Sequence, residues 1–259
     1  MRAALGDEAI DRGTVDAYFR RLGDLVGFSA VVYRGGIHAG GLERFTAPQA
    51  TPIERFHTAL EEGKGALMVS PHLICHEVMA GVGTDRLPIT VLVRKSPEPA
   101  YEAIKQRWYS CLGVDVVYRP PKGGPAQALG EMTAAFRALR RNRILALTPD
   151  LIQKRGTGIP VRLFDRDAEL PAGAFFLAVR TGAPLIPTFF HWENGVYHLR
   201  ALKPLSVNAT DDRDAAVADL AQRWASLFEE FLREHPEMWQ FWLDKRWIRW
   251  LDETPRLRR

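Results

Sequence analysis

Cysteine is nearly absent from this 259-residue chain: Cys75 and Cys111 are the only two. Two thiols build no disulfide framework, so a reduced compartment is expected. No run of about eighteen apolar residues occurs, which argues against a membrane-spanning helix. The opening MRAALGDEAIDRG carries acidic residues and lacks the apolar core of a signal peptide. No long Lys/Arg tract is present. The formal charge is +4, from 35 basic and 31 acidic residues, so nucleic acid is not the expected partner. The mild excess still suits anionic partners such as coenzyme phosphates or acidic lipid headgroups. No GxGxxG loop follows a strand and no standard zinc spacing appears, so neither a bound cofactor nor a metal is expected. No internal repeat or linker divides the chain. One domain over residues 1–259 is expected, with a helical N-terminal segment (1–60) and a helical C-terminal segment (213–252).

What is present is an alternation. Apolar residues make up 46% of the chain, enough for a large core. ALMVS (66–70), LPITVLV (87–93), VDVVY (114–118), RILALTP (143–149) and APLIPTFF (183–190) read as strands. Helical patterns at 98–113, 125–142 and 172–182 separate them. GVYHLRAL (195–202) alternates and pairs with the preceding strand through a turn at Glu193-Asn194-Gly195. The stretch 150–173 is long, polar and turn-rich, which marks functional connections. The pattern predicts a single α/β domain with a central, mostly parallel sheet flanked by helices. Ligands of such sheets lie beyond the carboxyl ends of the strands. His72, the basic loop 119–122, Asp150 and His191 all fall just past predicted strand ends.

The chain is organised around ALMVSPHLICHEVMAGVG (66–83). Pro71 breaks the strand, His72 follows, and a short helix carries Glu77. With His72 in the loop before that helix, Glu77 reaches one ring nitrogen and leaves the other free as a general base. The plainer alternative is a buried structural histidine beside a surface glutamate, and His76 adds a third group. Arg119 and Lys122 flank a stiff Pro-Pro pair and suit the phosphates of a pantetheine arm or coenzyme. His191 and Glu193 are candidates for a second acid–base pair. Cys75, in an apolar stretch, is expected to be a packing thiol.

The order of five segments resembles the bacterial lipid A biosynthesis acyltransferases, the related phosphatidylinositol mannoside acyltransferases and lysophospholipid acyltransferase-like proteins. The segments are His72-Leu73-Ile74-Cys75-His76-Glu77, the strand into Arg94, Asp150 followed by Lys154-Arg155-Gly156 and IPVRLFDRDAELPAG, LAVRTGAPLIPTFF (177–190), and PEMWQFWLDKRWIRW (236–250). The likeness spans roughly residues 60 to 250. His-x4-Glu alone is a weak motif, and the ordered set carries the resemblance. Two features depart from the family's pattern. The transmembrane anchor at the N-terminus of the lipid A enzymes has no counterpart, and a second histidine sits inside HLICHE.

The resemblance implies a glycerolipid acyltransferase-like fold and transfer of an acyl group from an acyl-CoA or acyl-carrier-protein thioester to a hydroxyl, or an amine, of a lipid, glycolipid or natural product. His72 would be the base and Glu77 its supporting carboxylate. No cofactor is bound, and the thioester is a co-substrate. Asp150 and Arg155 match the family's acidic and basic loop positions, Arg94 ends one of the matching strands, and Arg180 either meets the site or a phosphate or is an ordinary helix-surface arginine. The expected partners are the donor and a lipid or small-molecule acceptor, with peripheral contact at the inner face of the cell membrane from an otherwise cytoplasmic protein. The tail, with Trp239, Trp242, Trp247 and Trp250 among Lys245, Arg246 and Arg249, is expected mostly to pack and partly to face a membrane or partner. Thioester hydrolysis and non-catalytic acyl or lipid binding remain the alternatives.

Overall fold

The apolar run 66–69 forms strand β1 at the middle of a sheet, where both faces are covered and every residue is buried. The computed structural model describes residues 1–8, 10–46, 50–119, 125–208 and 212–255. Helices α1 (Arg2–Leu5), α2 (Arg12–Gly35) and α3 (Ala50–Glu61) precede β1 (Ala66–Val69). Then come α4 (His76–Val82), β2 (Ile89–Arg94), α5 (Pro99–Leu112), β3 (Asp115–Arg119), α6 (Pro125–Arg140) and β4 (Ile144–Leu147). A hairpin, β5 (Ile159–Leu163) and β6 (Arg166–Leu170), leads to α7 (Gly173–Thr181), β7 (Leu185–Glu193) and β8 (Val196–Ala201). The chain ends with α8 (Arg213–Glu234), two short 3-10 turns and α9 (Lys245–Glu253).

The main sheet has the order β3-β2-β4-β1-β7-β8. All pairs are parallel except β7 with β8, so the fold is α/β with a mostly parallel sheet between helical layers. Asn194 and Gly195 take positive φ at the β7–β8 turn, as the Asn-Gly dipeptide demands. Pro187 lies in an interior strand rather than at an edge. The missing N–H is tolerated because the β8 ladder begins one residue later, at Thr188.

The polar stretch after β4 holds a structure that its composition hides. Leu163 pairs with Arg166, so Phe164 and Asp165 make a two-residue turn with φ of 54° and 56°. Such turns favour Asn-Gly. Here the buried Phe164 ring packs among Trp239, Trp242, Trp247 and Phe228, and its N–H donates to Glu229 Oε2 at 2.7 Å. That packing offsets the left-handed backbone.

The tryptophan-rich tail lies inside. Trp239, Trp242 and Trp247 are buried, while Lys245, Arg246 and Arg249 are exposed. The backbone of this tail clamps the segment after β1: Ile74 N–H donates to Met238 O at 2.8 Å, and Gln240 N–H to His72 O at 3.0 Å. No helix among the described residues is long and apolar enough to cross a membrane.

Candidate active site

Parallel register brings the central pair together. Val69 on β1 stands opposite Leu147 on β4, and each strand is followed at the same distance by a polar residue, His72 and Asp150. His72 Nδ1 meets Asp150 Oδ1 at 2.5 Å. The His72 backbone N–H donates to Asp150 Oδ2 at 2.8 Å, and Trp239 Nε1–H donates to the same oxygen at 2.8 Å. Trp247 Nε1–H holds the Asp150 carbonyl at 3.0 Å. Asp150 is 0% exposed, so its charge is sustained by these donors rather than by water.

The electrostatics follow from the contacts. Burial works against the charge of Asp150, yet His72 and the donated hydrogen bonds hold its pKa below the usual carboxylate value. Burial likewise opposes the imidazolium of His72. The Asp150 charge and hydrogen bond outweigh it, with help from Glu77, and the pKa of His72 is raised. With Nδ1–H given to Asp150, Nε2 points into the cleft, where Thr148 Oγ1 lies 3.2 Å away. Phe241 covers the ring at a centroid distance of 4.4 Å. Chemically, this arrangement is able to serve as a base with an orienting carboxylate.

Glu77 is not the ring's hydrogen-bond partner. Helix α4 begins only at His76, after Cys75 in a left-handed cap conformation (φ 66°), and this turn sends Glu77 toward α5. Its oxygens accept from Trp108 Nε1–H at 2.8 Å and Tyr109 O–H at 2.5 Å. The ring contact expected of Glu77 is made instead by Asp150, and Glu77 bears on His72 through its charge. His76 is tied to Leu73 O at 2.6 Å, with its pKa lowered by burial. The Cys75 thiol is buried, accepts a hydrogen bond from Tyr197 O–H and is pushed up to about 12, mainly by burial. It is an inert packing group.

The cleft around His72 has a volume of about 940 Å³. Its wall includes Arg94, Lys105, Lys154 and Arg246, with Glu77 the one carboxylate among the described lining residues. A second, mainly apolar chamber of about 460 Å³ adjoins it, and Met68, Ala80 and Phe190 line both. Arg94 thus reaches the cleft rim, and its carbonyl accepts from Lys105 Nζ–H.

Other expected residues stand elsewhere. Arg155 is exposed and outside the wall, where Lys154 and Thr157 take its place. Arg180 is on the last turn of α7, before Gly182, which neighbours Lys64 at the entry to β1. That is the opposite end of the strands from His72. His191 and Glu193 face away from the cleft: Phe190 lines it, so alternation turns His191 to the α8 side, where its ring stacks on His235. The Arg119 side chain and all of Lys122 lie outside the described residues. Sequence reasoning missed Thr148, Lys105, Arg246 and the Trp239 and Trp247 donors. Thr148 alone left a signal, as a polar residue at a buried strand's carboxyl end.

Phosphatidylinositol mannoside acyltransferases from two Mycobacterium tuberculosis strains are each 30% identical over 210 residues, covering 79% of this chain and 61% of theirs. The namesake from Mycolicibacterium smegmatis is 29% identical over 212 residues, covering 80% of this chain and 64% of its own. The chain therefore spans somewhat under two thirds of the length of these relatives. A family model described as bacterial lipid A biosynthesis acyltransferase matches residues 44–249, a range that holds His72, Asp150 and the clamping tryptophans: the chain belongs to that family.

Proposed function

We propose that the protein transfers an acyl group from a thioester to a hydroxyl of a lipid or glycolipid acceptor, with His72 as general base and Asp150 as its orienting carboxylate. The observation that carries this reading is the buried Asp150–His72 pair with Nε2 directed into the cleft. Nε2 takes the proton of the acceptor hydroxyl as its oxygen attacks the thioester carbonyl. The C–S bond then breaks, the thiolate receives the proton, and an ester and a free thiol result. Asp150 holds the Nδ1–H tautomer and balances the imidazolium that forms between the two proton transfers. No residue becomes acylated, in keeping with the inert Cys75 thiol.

The four cations of the cleft wall support a donor carried on phosphate groups, coenzyme A or the phosphopantetheine of acyl carrier protein. The adjoining apolar chamber supports a long acyl chain, since each buried CH2 contributes about 0.8 kcal/mol. The exposed Phe19 and Val26 of α2, with Leu243 and Ile248 near α9, support peripheral contact with a membrane face from the cytoplasmic side.

The test is product mass after incubation of the protein with acyl-CoA and acyl-carrier-protein thioesters and a lipid extract. A product heavier by one acyl group, absent with His72→Ala, is expected. Free fatty acid alone would mean hydrolysis. Equal donor binding by both proteins without turnover would mean a binding protein.

A further inference from the structure

The sheet face turned away from the cleft carries a second group of titratable side chains. His191 on β7 and His198 on β8 are direct cross-strand partners, with rings stacked at 5.1 Å. Glu193, two residues beyond His191, falls on the same face, its Oε2 3.9 Å from His191 Nε2. From the end of α8, His235 stacks on His191 at 4.5 Å. One donor atom from each of His191, Glu193 and His198 lies within 4.8 Å of the other two.

Two atoms here are anomalous. His191 Nδ1 and His198 Nε2 are buried and have no hydrogen-bond partner. Buried polar atoms in folded proteins are nearly always satisfied, so each of these two ring nitrogens is short of a partner. Each of these imidazoles can offer a ring nitrogen lone pair to a metal ion. The charged groups acting on them are Glu193, Glu234 and Glu237 against one cation, Arg200, which is itself bonded to Glu234 at 2.6 Å.

We propose that His191, His198 and Glu193 form a binding site for a divalent transition-metal ion, with zinc the best match to two imidazoles and a carboxylate. A water takes the fourth position. Bonds of about 2.0–2.2 Å bring tetrahedral donors to roughly 3.4 Å from one another, so the side chains close in slightly on the ion. Glu193, with its side chain 60% exposed, is free to make that move. The ion would pin the β7–β8 hairpin, on which His235 stacks at the end of α8, immediately before the segment whose Trp239 supports Asp150. It stands across the sheet from His72, and no step of the proposed reaction passes through it.

The test uses the whole chain, stripped with chelator, desalted and titrated calorimetrically with zinc chloride alone while melting temperature is followed. One equivalent should bind and raise the melting temperature. His198→Ala should abolish binding, and Glu193→Gln, a conservative change at a largely exposed side chain, should weaken it about tenfold or more. His72→Ala should bind zinc as the parent does. Absence of stoichiometric binding by the folded parent chain would overturn the assignment. So would equal affinity in the parent, His198→Ala and Glu193→Gln, or loss of binding in His72→Ala.

Discussion

His72 and Asp150 each stand three residues beyond the last paired residue of neighbouring parallel strands, and their side chains meet at 2.5 Å. In-register strands deliver the two groups to the same level above the sheet. The tryptophan-rich tail then closes over them, so that Asp150 accepts from a backbone amide, an imidazole and an indole. The tryptophans expected mostly to pack do so, and they form the wall behind the carboxylate.

Trp239→Phe keeps an aromatic ring in place and deletes one charge-assisted donor to a fully buried carboxylate. Loss of a hydrogen bond to a charged group, together with the smaller ring, should destabilise the protein by about 2–4 kcal/mol. Urea denaturation of the variant beside the parent measures this. An unchanged midpoint would mean that Trp239 contributes by shape alone.

Glu77→Gln separates the two carboxylates. Glu77 raises the pKa of His72 through space, less strongly than Asp150 does. The substitution should shift the acid limb of the rate profile downward by less than Asp150→Asn does, and should lower kcat by about tenfold or less, below the hundredfold or more expected for loss of a general base. A loss as large as that of His72→Ala would give Glu77 a direct part in proton transfer.

The connection after β4 offers a conformational test. Glu169 gathers the N–H groups of Gly156, Thr157 and Gly158 at 2.5, 2.9 and 2.9 Å, which holds its pKa below the usual value. This contact shapes the loop that brings Lys154 and Thr157 to the cleft wall. Glu169→Ala should open the loop, and trypsin should then cut after Lys154 and Arg155 faster than in the parent. An unchanged cleavage rate would show that the β5–β6 hairpin alone fixes the loop.

Much of the fold was legible because its cause is local. Buried parallel strands are continuous apolar runs, glycines such as Gly113 and Gly182 close helices in the left-handed region, and Asn194-Gly195 announces its hairpin. The β5–β6 hairpin was not legible, because its turn is stabilised by tertiary packing of Phe164 against three tryptophans. At the site, His72 and Asp150 were readable as polar residues past strand ends, but their pairing depends on β1 and β4 being neighbours. Strand order is a property of the assembled sheet. The same limit explains Arg180 and His191: sequence placed each near a strand, and only the sheet decides which end or face it occupies.

The pH dependence of transfer tests the central claim most directly. A pKa raised in the folded protein keeps His72 protonated over a wider range, so the free base appears only above its ordinary value of about 6.5. The parent's kcat/KM should therefore rise with pH through a midpoint above about 6.5. Asn at position 150 would turn its carbonyl oxygen to the His72 amide and Trp239, and its NH2 to Nδ1, which imposes the opposite tautomer. Asp150→Asn should accordingly lower the rate by about a hundredfold or more at all pH values and move the midpoint down. A variant with the parent's midpoint and a rate within a few-fold of it would contradict the His72–Asp150 mechanism.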